Sequence, residues 1–227
     1  MIKKNKVLFL MFHKIIFNLN EKMSDYDVDL ETFKKLIKQI RLYNINNKDT
    51  LIVPTFDDGN KSDLTCAKYL NQENIKGIFF IVINRINKDG YLSAEDIIKI
   101  NDMGHYIGSH TMTHLKCDQA KPDIVIKEMI ESKSYLENLL KKECEYFAFP
   151  GGLYNKKAFQ LAQKANFKYI FSTFEKLPNK LVKHRANPRM HIRTSTLKNF
   201  KSILKIEKTY YFKRYLRSLI REIKYLF

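Results

Sequence analysis

Leu51-Ile52-Val53-Pro54-Thr55-Phe56-Asp57-Asp58-Gly59 is the stretch on which the reading of this chain turns. An apolar, strand-like run delivers two adjacent carboxylates and then a glycine. Side chains alternate along a strand, so the two aspartates are predicted to face different sides, one free to bind a metal and the other a reacting atom. The glycine permits a sharp turn without a Cβ penalty. Neighbouring carboxylates repel each other unless a cation or a shared proton relieves them. Taken alone, Asp-Asp-Gly is equally an ordinary turn after a strand. The remainder of the chain must therefore supply a cation's other ligands.

Outward from this stretch, strands and helices alternate. Val7–Phe12 reads as a buried first strand, and Asp29 caps a helix with an apolar face of Leu30, Phe33, Leu36, Ile37 and Ile40. Gly77–Ile83 is apolar throughout, the mark of a strand buried on both faces. Ser93-Ala94-Glu95-Asp96 has the form of a capping box, and Pro122 opens a long helix to about Lys141. Strands are further expected over 105–109, 146–149 and 167–172, with a helix capped by Asn155 between the last two. From there a poorly patterned stretch leads to Met190-His191-Ile192. The alternation predicts an α/β fold around a mainly parallel sheet. His13, Asp57, Asp58, His110 and Gly151 all fall at strand C-termini, where such folds place their sites.

Composition narrows the partners. The net charge of +17 over 227 residues suggests an anionic partner, or else a scattered basic surface. No zinc-finger spacing or aromatic RNA-binding signature accompanies it, so a nucleic-acid partner is not expected. Cys66, Cys117 and Cys144 form an odd set without metal-type spacing and read as reduced thiols. The N-terminal lysines and short apolar run are interrupted by His13 and Lys14 and lack a cleavage site, so the expected location is cytoplasmic.

Ser109-His110-Thr111-Met112-Thr113-His114 places histidines at i and i+4, which on a helical turn would share one face. Such a pair is also common as surface decoration, but this one follows a strand end as the aspartates do. Asp58 with His110 and His114 would make a two-histidine, one-carboxylate site with open positions, suited to zinc or another divalent first-row metal.

With these motifs in hand, the sequence resembles the polysaccharide deacetylases with the NodB-homology domain (carbohydrate esterase family 4). The resemblance runs to about Ile192. It rests on 55–59, on Gly104–His114, and on Phe147-Ala148-Phe149-Pro150-Gly151-Gly152-Leu153-Tyr154-Asn155. It implies a distorted (β/α) barrel with fewer than eight strands over residues 1–200; the residue pattern beyond it, over 201–227, reads separately as a basic amphipathic helical tail. It also implies Asp57 as general base, Asp58, His110 and His114 as metal ligands, and the Gly151 amide as an oxyanion donor. Pro150 and Tyr154 are expected beside it at the substrate. The cofactor would be Zn2+, with Co2+ or Mn2+ as alternatives. The reaction would be hydrolysis of an N-acetyl group from an amino sugar in a polysaccharide or lipid-linked glycan of the cell envelope.

Departures from the family pattern raise specific questions. Many relatives carry an arginine where this chain has Ala148, and that arginine orients the catalytic aspartate. Arg189 is the candidate replacement, since a neighbouring cation would keep Asp57 ionised; the alternative is a surface arginine. His191 stands where the family places a general acid but without its leucine pattern, and is either that acid or a structural histidine. His13 is expected to line the site, whereas His105 and His184 read as structural or exposed.

In the tail, Tyr211, Phe212, Tyr215, Leu216, Leu219, Ile220 and Ile223 fall at helical steps opposite Lys213, Arg214, Arg217, Arg221 and Lys224. This pattern suits a helix lying on an anionic membrane, here the inner face of the cytoplasmic membrane, or one packed on the barrel or a partner. Competing readings of the whole are a deformylase of a lipid-linked amino sugar and a catalytically silent glycan- or membrane-binding module.

Overall fold

The structure, a computed structural model, describes residues 6–18, 23–173, 180–197 and 200–205. The tail from 206 onward, with its expected amphipathic helix, lies outside the described residues. The chain begins with β1 (Lys6–Phe12), β2 (Ile15–Ile16), β3 (Val28–Asp29), α1 (Leu30–Asn46), β4 (Thr50–Phe56) and α2 (Asp63–Gln72). It continues through β5 (Ile78–Ile81), α3 (Ala94–Asp102), β6 (Tyr106–Ser109), α4 (Pro122–Leu140), β7 (Tyr146–Ala148) and α5 (Lys156–Lys164). β8 (Tyr169–Ser172), β9 (Asn187–His191), α6 (Thr194–Leu197) and α7 (Phe200–Leu204) complete it.

Strands β1, β4, β5, β6, β7, β8 and β9 close, in that order, into an all-parallel barrel of seven strands, fewer than eight as the resemblance implied. β2 and β3 pair separately. The strands alternate between two apolar layers. Leu8, Leu10, Ile52, Phe79, Phe147 and Ile170 face the helices, which contribute Phe33, Ile37, Ile40, Ile97, Met129 and Leu136. Val7, Phe9, Val53, Ile78, Phe80, Ala148 and Phe171 form a second cluster that fills the barrel. Gly108 is required by this interior: a Cβ there would stand 2.7 Å from the Phe80 ring.

Local signals explain the helix starts. Asp29 accepts a hydrogen bond from the Thr32 N–H (2.9 Å), Ser93 and Asp96 form the capping box, and Asn155 accepts from the Ala158 N–H (2.8 Å). β9 is a strand that periodicity did not reveal. Asn187-Pro188-Arg189-Met190-His191 lacks an apolar run, yet its polar side chains are buried because they face the site or the barrel interior.

Candidate active site

The strand β4 ends at Phe56, and the Asp57 N–H donates to the Phe12 carbonyl (3.0 Å), continuing the barrel for one residue. Asp58 then turns with φ of 80°, and Gly59 with 71°. Both aspartates consequently line one cavity of about 440 Å3 at the C-terminal end of the barrel. This corrects the expectation of opposite facing: strand alternation stops at Phe56, and the turn brings Asp58 round to the side of Asp57. A larger cavity, of about 1030 Å3, opens at the other end of the barrel among Val7, Leu51, Tyr106, Tyr146 and Tyr169. It lies away from the aspartates and histidines.

Asp57 is almost fully buried, and its partner is Arg189 from β9. Nη1 lies 2.5 Å from Oδ1 and Nη2 2.8 Å from Oδ2, a two-pronged contact. Arg189 is itself 1% exposed, sits with its guanidinium over the Phe80 ring (5.0 Å), and donates weakly to Thr55 Oγ1 and the Ser172 carbonyl (3.4 Å each). Burial alone would raise the Asp57 pKa, but the charge of Arg189 and its hydrogen bonds hold it well below the usual carboxylate range. The geometry thus places an arginine on the aspartate although position 148 is alanine. Ala148 serves elsewhere: its carbonyl accepts a hydrogen bond from His110 Nδ1 (2.7 Å).

That bond fixes the chemistry of His110. A carbonyl only accepts, so Nδ1 carries the proton and the Nε2 lone pair is left for a ligand. Burial, the largest influence, brings the His110 pKa down to about 4, so the ring is neutral at neutral pH. His114 is shifted in the same direction, again chiefly by burial. The two rings lie 5.1 Å apart, and His114 Nε2 is 3.3 Å from Asp58 Oδ1. Arg85 Nη1 approaches the same oxygen at 2.8 Å.

The histidines do not share a helical face as the i, i+4 spacing suggested. The segment is a loop in which Thr111 and His114 both have φ of 67°. Together with Asp58 these are three non-glycine residues in a region that costs about 1–3 kcal/mol each, a concentration typical of functional sites. Glu128 of α4 holds the loop in place: Oε2 accepts from the N–H groups of Met112 and Thr113, and Oε1 from the Thr113 hydroxyl, all at 2.9 Å. Nothing in the local sequence links Glu128 to the histidines, and reading by motif missed it.

Asp58, His110 and His114 offer one ligand atom each, all within 4.8 Å of one another, the one such cluster among the described residues. One carboxylate and two neutral imidazoles, one with its tautomer already set, form a donor set that fits zinc or a similar divalent ion.

The other predicted residues separate into two groups. His13, His191 and Gly151 line the same cavity, with Arg193, Tyr26 and Lys14. Gly151 has φ of 65°, and nothing lies within 4 Å of where its Cβ would be. Pro150 and Tyr154 are not among the residues lining the cavity; Tyr154 stacks on Phe149 at 4.9 Å and helps anchor the loop after β7. His105 is structural, accepting from the Gly77 N–H (3.1 Å) and donating to the Ala67 carbonyl (2.9 Å). His184 is exposed.

The polysaccharide deacetylase family matches residues 44–170, more than half of the chain. The chain belongs to the polysaccharide deacetylase family. A peptidoglycan-N-acetylglucosamine deacetylase of Bacillus cereus is 28% identical over 163 residues, covering 70% of this deacetylase-family chain and 72% of the relative. Among solved structures, the Streptococcus pyogenes deacetylase PplD in complex with acetate superposes with a TM-score of 0.76 at 21% identity, covering 88% of this chain and 98% of that one. IcaB from Ammonifex degensii gives 0.76 at 18% identity, covering 89% and 98%. At these identities the structural likenesses speak to the fold, which is that of the deacetylase barrel.

One buried group near this cavity was not anticipated. Asp63, in the first turn of α2, is fully buried, and neither carboxyl oxygen has a hydrogen bond of good geometry. Burial first, then the charges of Asp58 and Asp57, push its pKa well above the usual range. A pKa raised on folding gives stability that is full below the unfolded value, about 3.9, and is lost as pH rises through the folded value. Asp63→Asn removes this loss. Urea unfolding is expected to show the variant more stable than wild type at pH 7. The difference should close toward about pH 4. A variant less stable at pH 7 would contradict a neutral Asp63.

Proposed function

We propose that this chain is a metal-dependent N-deacetylase of an amino-sugar glycan, with Asp58, His110 and His114 as metal ligands and Asp57 as general base. The observation that carries the reading is the juxtaposition, in one cavity, of a neutral histidine pair and a carboxylate beside a second carboxylate clamped by an arginine. The relative from Bacillus cereus, whose name gives peptidoglycan N-acetylglucosamine as its substrate, supports an N-acetylated cell-envelope glycan as the substrate class.

A divalent ion held by the three ligands would act as a Lewis acid on the acyl carbonyl and make water easier to deprotonate. The chain's own residues do the rest. Asp57 stays ionised and takes a proton from the attacking water. Arg189 fixes both carboxylate oxygens, so the base meets the water in one orientation. The Gly151 amide, at the cavity wall, is the candidate donor to the oxyanion. The volume of the cavity falls within the range typical of small-ligand pockets, enough for a sugar unit with its acyl group.

Asp58→Ala and His114→Ala are each expected to abolish zinc binding in calorimetric titration with zinc alone and to abolish acetate release with it. Wild-type zinc affinity in either variant would remove the proposed metal site.

A further inference from the structure

His13 follows β1 and His191 ends β9, and their rings stack 5.4 Å apart with planes 23° from parallel. Tyr26 packs edge-on against both, at 5.4 and 5.5 Å. Arg193 closes this cluster. Its guanidinium covers the Tyr26 ring at 4.5 Å, Nη1 lies 3.9 Å from Asp25, and Nη2 lies 3.1 Å from His191 Nδ1. The backbone beside it is braced, since the Arg193 N–H donates to Thr196 Oγ1 (2.8 Å) and that hydroxyl reaches the His191 carbonyl (3.4 Å).

A guanidinium can only donate. His191 Nδ1 must therefore accept, and an imidazole whose Nδ1 accepts carries its proton on Nε2. We propose that Arg193 is a positioning residue that locks His191 as the neutral Nε2–H tautomer, so that His191 keeps its proton and serves the bound glycan as a hydrogen-bond donor instead of protonating the leaving amine. The proposal rests on the N-deacetylase reading for its substrate. The tautomer stands on geometry alone.

The charges around His191 agree. It faces His13 from β1, Arg193 and Arg189 from β9 and the turn after it, Tyr26 from the segment before β3, and Asp57 from the end of β4. Burial is the foremost influence, His13, Arg193 and Arg189 add to it, and Asp57 opposes; together they hold the ring well below the usual histidine range. Asp57 is in turn engaged by Arg189 through both oxygens. An acid at this position would need an anion beside Nδ1 to favour the imidazolium, and Arg193 supplies a cation there.

The proton balance then runs through Asp57. As the water oxygen bonds to the acyl carbon, one water proton passes to the Asp57 carboxylate. The C–N bond breaks, its electron pair stays on nitrogen, and Asp57 returns the proton to that nitrogen, giving the carboxylic acid and the free amine. His191 ends the cycle with the proton it began with.

The test is long-range proton–nitrogen NMR on histidine-labelled full-length protein, metal-stripped and zinc-loaded, with the His191 signal identified by its loss in His191→Gln. In wild type, Nδ1 is expected unprotonated and Nε2 protonated, without titration between about pH 5.5 and about pH 8.5. In Arg193→Met, His191 is expected to titrate inside that window or to exchange tautomers. A wild-type His191 that titrates there, or that carries its proton on Nδ1, overturns the proposal, as does an Arg193→Met spectrum identical to wild type. Should Arg193→Met not fold, the wild-type spectrum decides by itself. Failure of the deacetylase reading is seen separately, as an absence of acetate release from wild type, and leaves the tautomer result standing.

Discussion

Asp57→Asn is expected to lower acetate release by about 10²–10⁴-fold, the range for loss of a general base, while binding zinc as wild type does. The substitution keeps the size of the side chain and removes its ability to accept a proton. Asp57 is not in the proposed ligand set, and its Oδ2 lies 3.8 Å from His110 Nε2. Metal affinity and turnover should therefore separate at this position, whereas at Asp58 and His114 they should fall together. The protein should also stay folded, because an amide can still receive hydrogen bonds from Arg189 through its oxygen. Near-wild-type acetate release in Asp57→Asn would remove the base from this residue. A parallel loss of zinc would instead place Asp57 among the ligands.

Arg189→Met is expected to destabilise the fold by about 3–5 kcal/mol, the cost of stripping the partner from a buried charge. It should also depress turnover about as far as Asp57→Asn does. Asp57 is almost completely enclosed, so without the guanidinium its carboxylate must either stay ionised in an apolar setting or take up a proton and cease to be a base. The sign with pH follows. A carboxylate whose pKa is depressed on folding adds stability above its unfolded pKa of about 3.9 and loses it as pH falls through the folded value. Arg189→Met should remove that acid-sensitive increment, so its deficit against wild type shrinks as pH falls below about 4. The double variant Asp57→Asn with Arg189→Met should recover much of the lost stability and none of the activity. Urea unfolding of the four proteins tests this directly. A single variant within about 1 kcal/mol of wild type would mean that the pair is not desolvated as described.

Legibility in the sequence followed the range of the interactions. The capped helix starts at Asp29, Ser93 and Asn155 depend on residues three apart and were readable. The aspartate pair and the two histidines were readable because each motif sits at a strand end, and a parallel barrel gathers strand ends without further information. The Asp57–Arg189 contact joins residues 132 apart and comes from β9, a strand with no apolar run to announce it; a vacant position at Ala148 was the only clue that an arginine should be sought. Backbone signs at Asp58, Thr111 and His114 escaped because none of these is glycine. Glu128 escaped because a helical glutamate looks the same whether it faces solvent or grips a loop. Tyr154 went the other way: its motif pointed to the substrate, and the stacking of its ring on Phe149 takes it into the loop's own packing.

The most direct measurement is acetate release from an N-acetylated amino-sugar glycan by protein stripped of metal and then titrated with zinc, cobalt or manganese. Release is expected to be absent after stripping and to return with saturation at one ion per chain, in wild type and not in Asp58→Ala. Acetate released by the stripped protein, or none released with any of the three metals, would contradict a metal-dependent deacetylase built on Asp57, Asp58, His110 and His114.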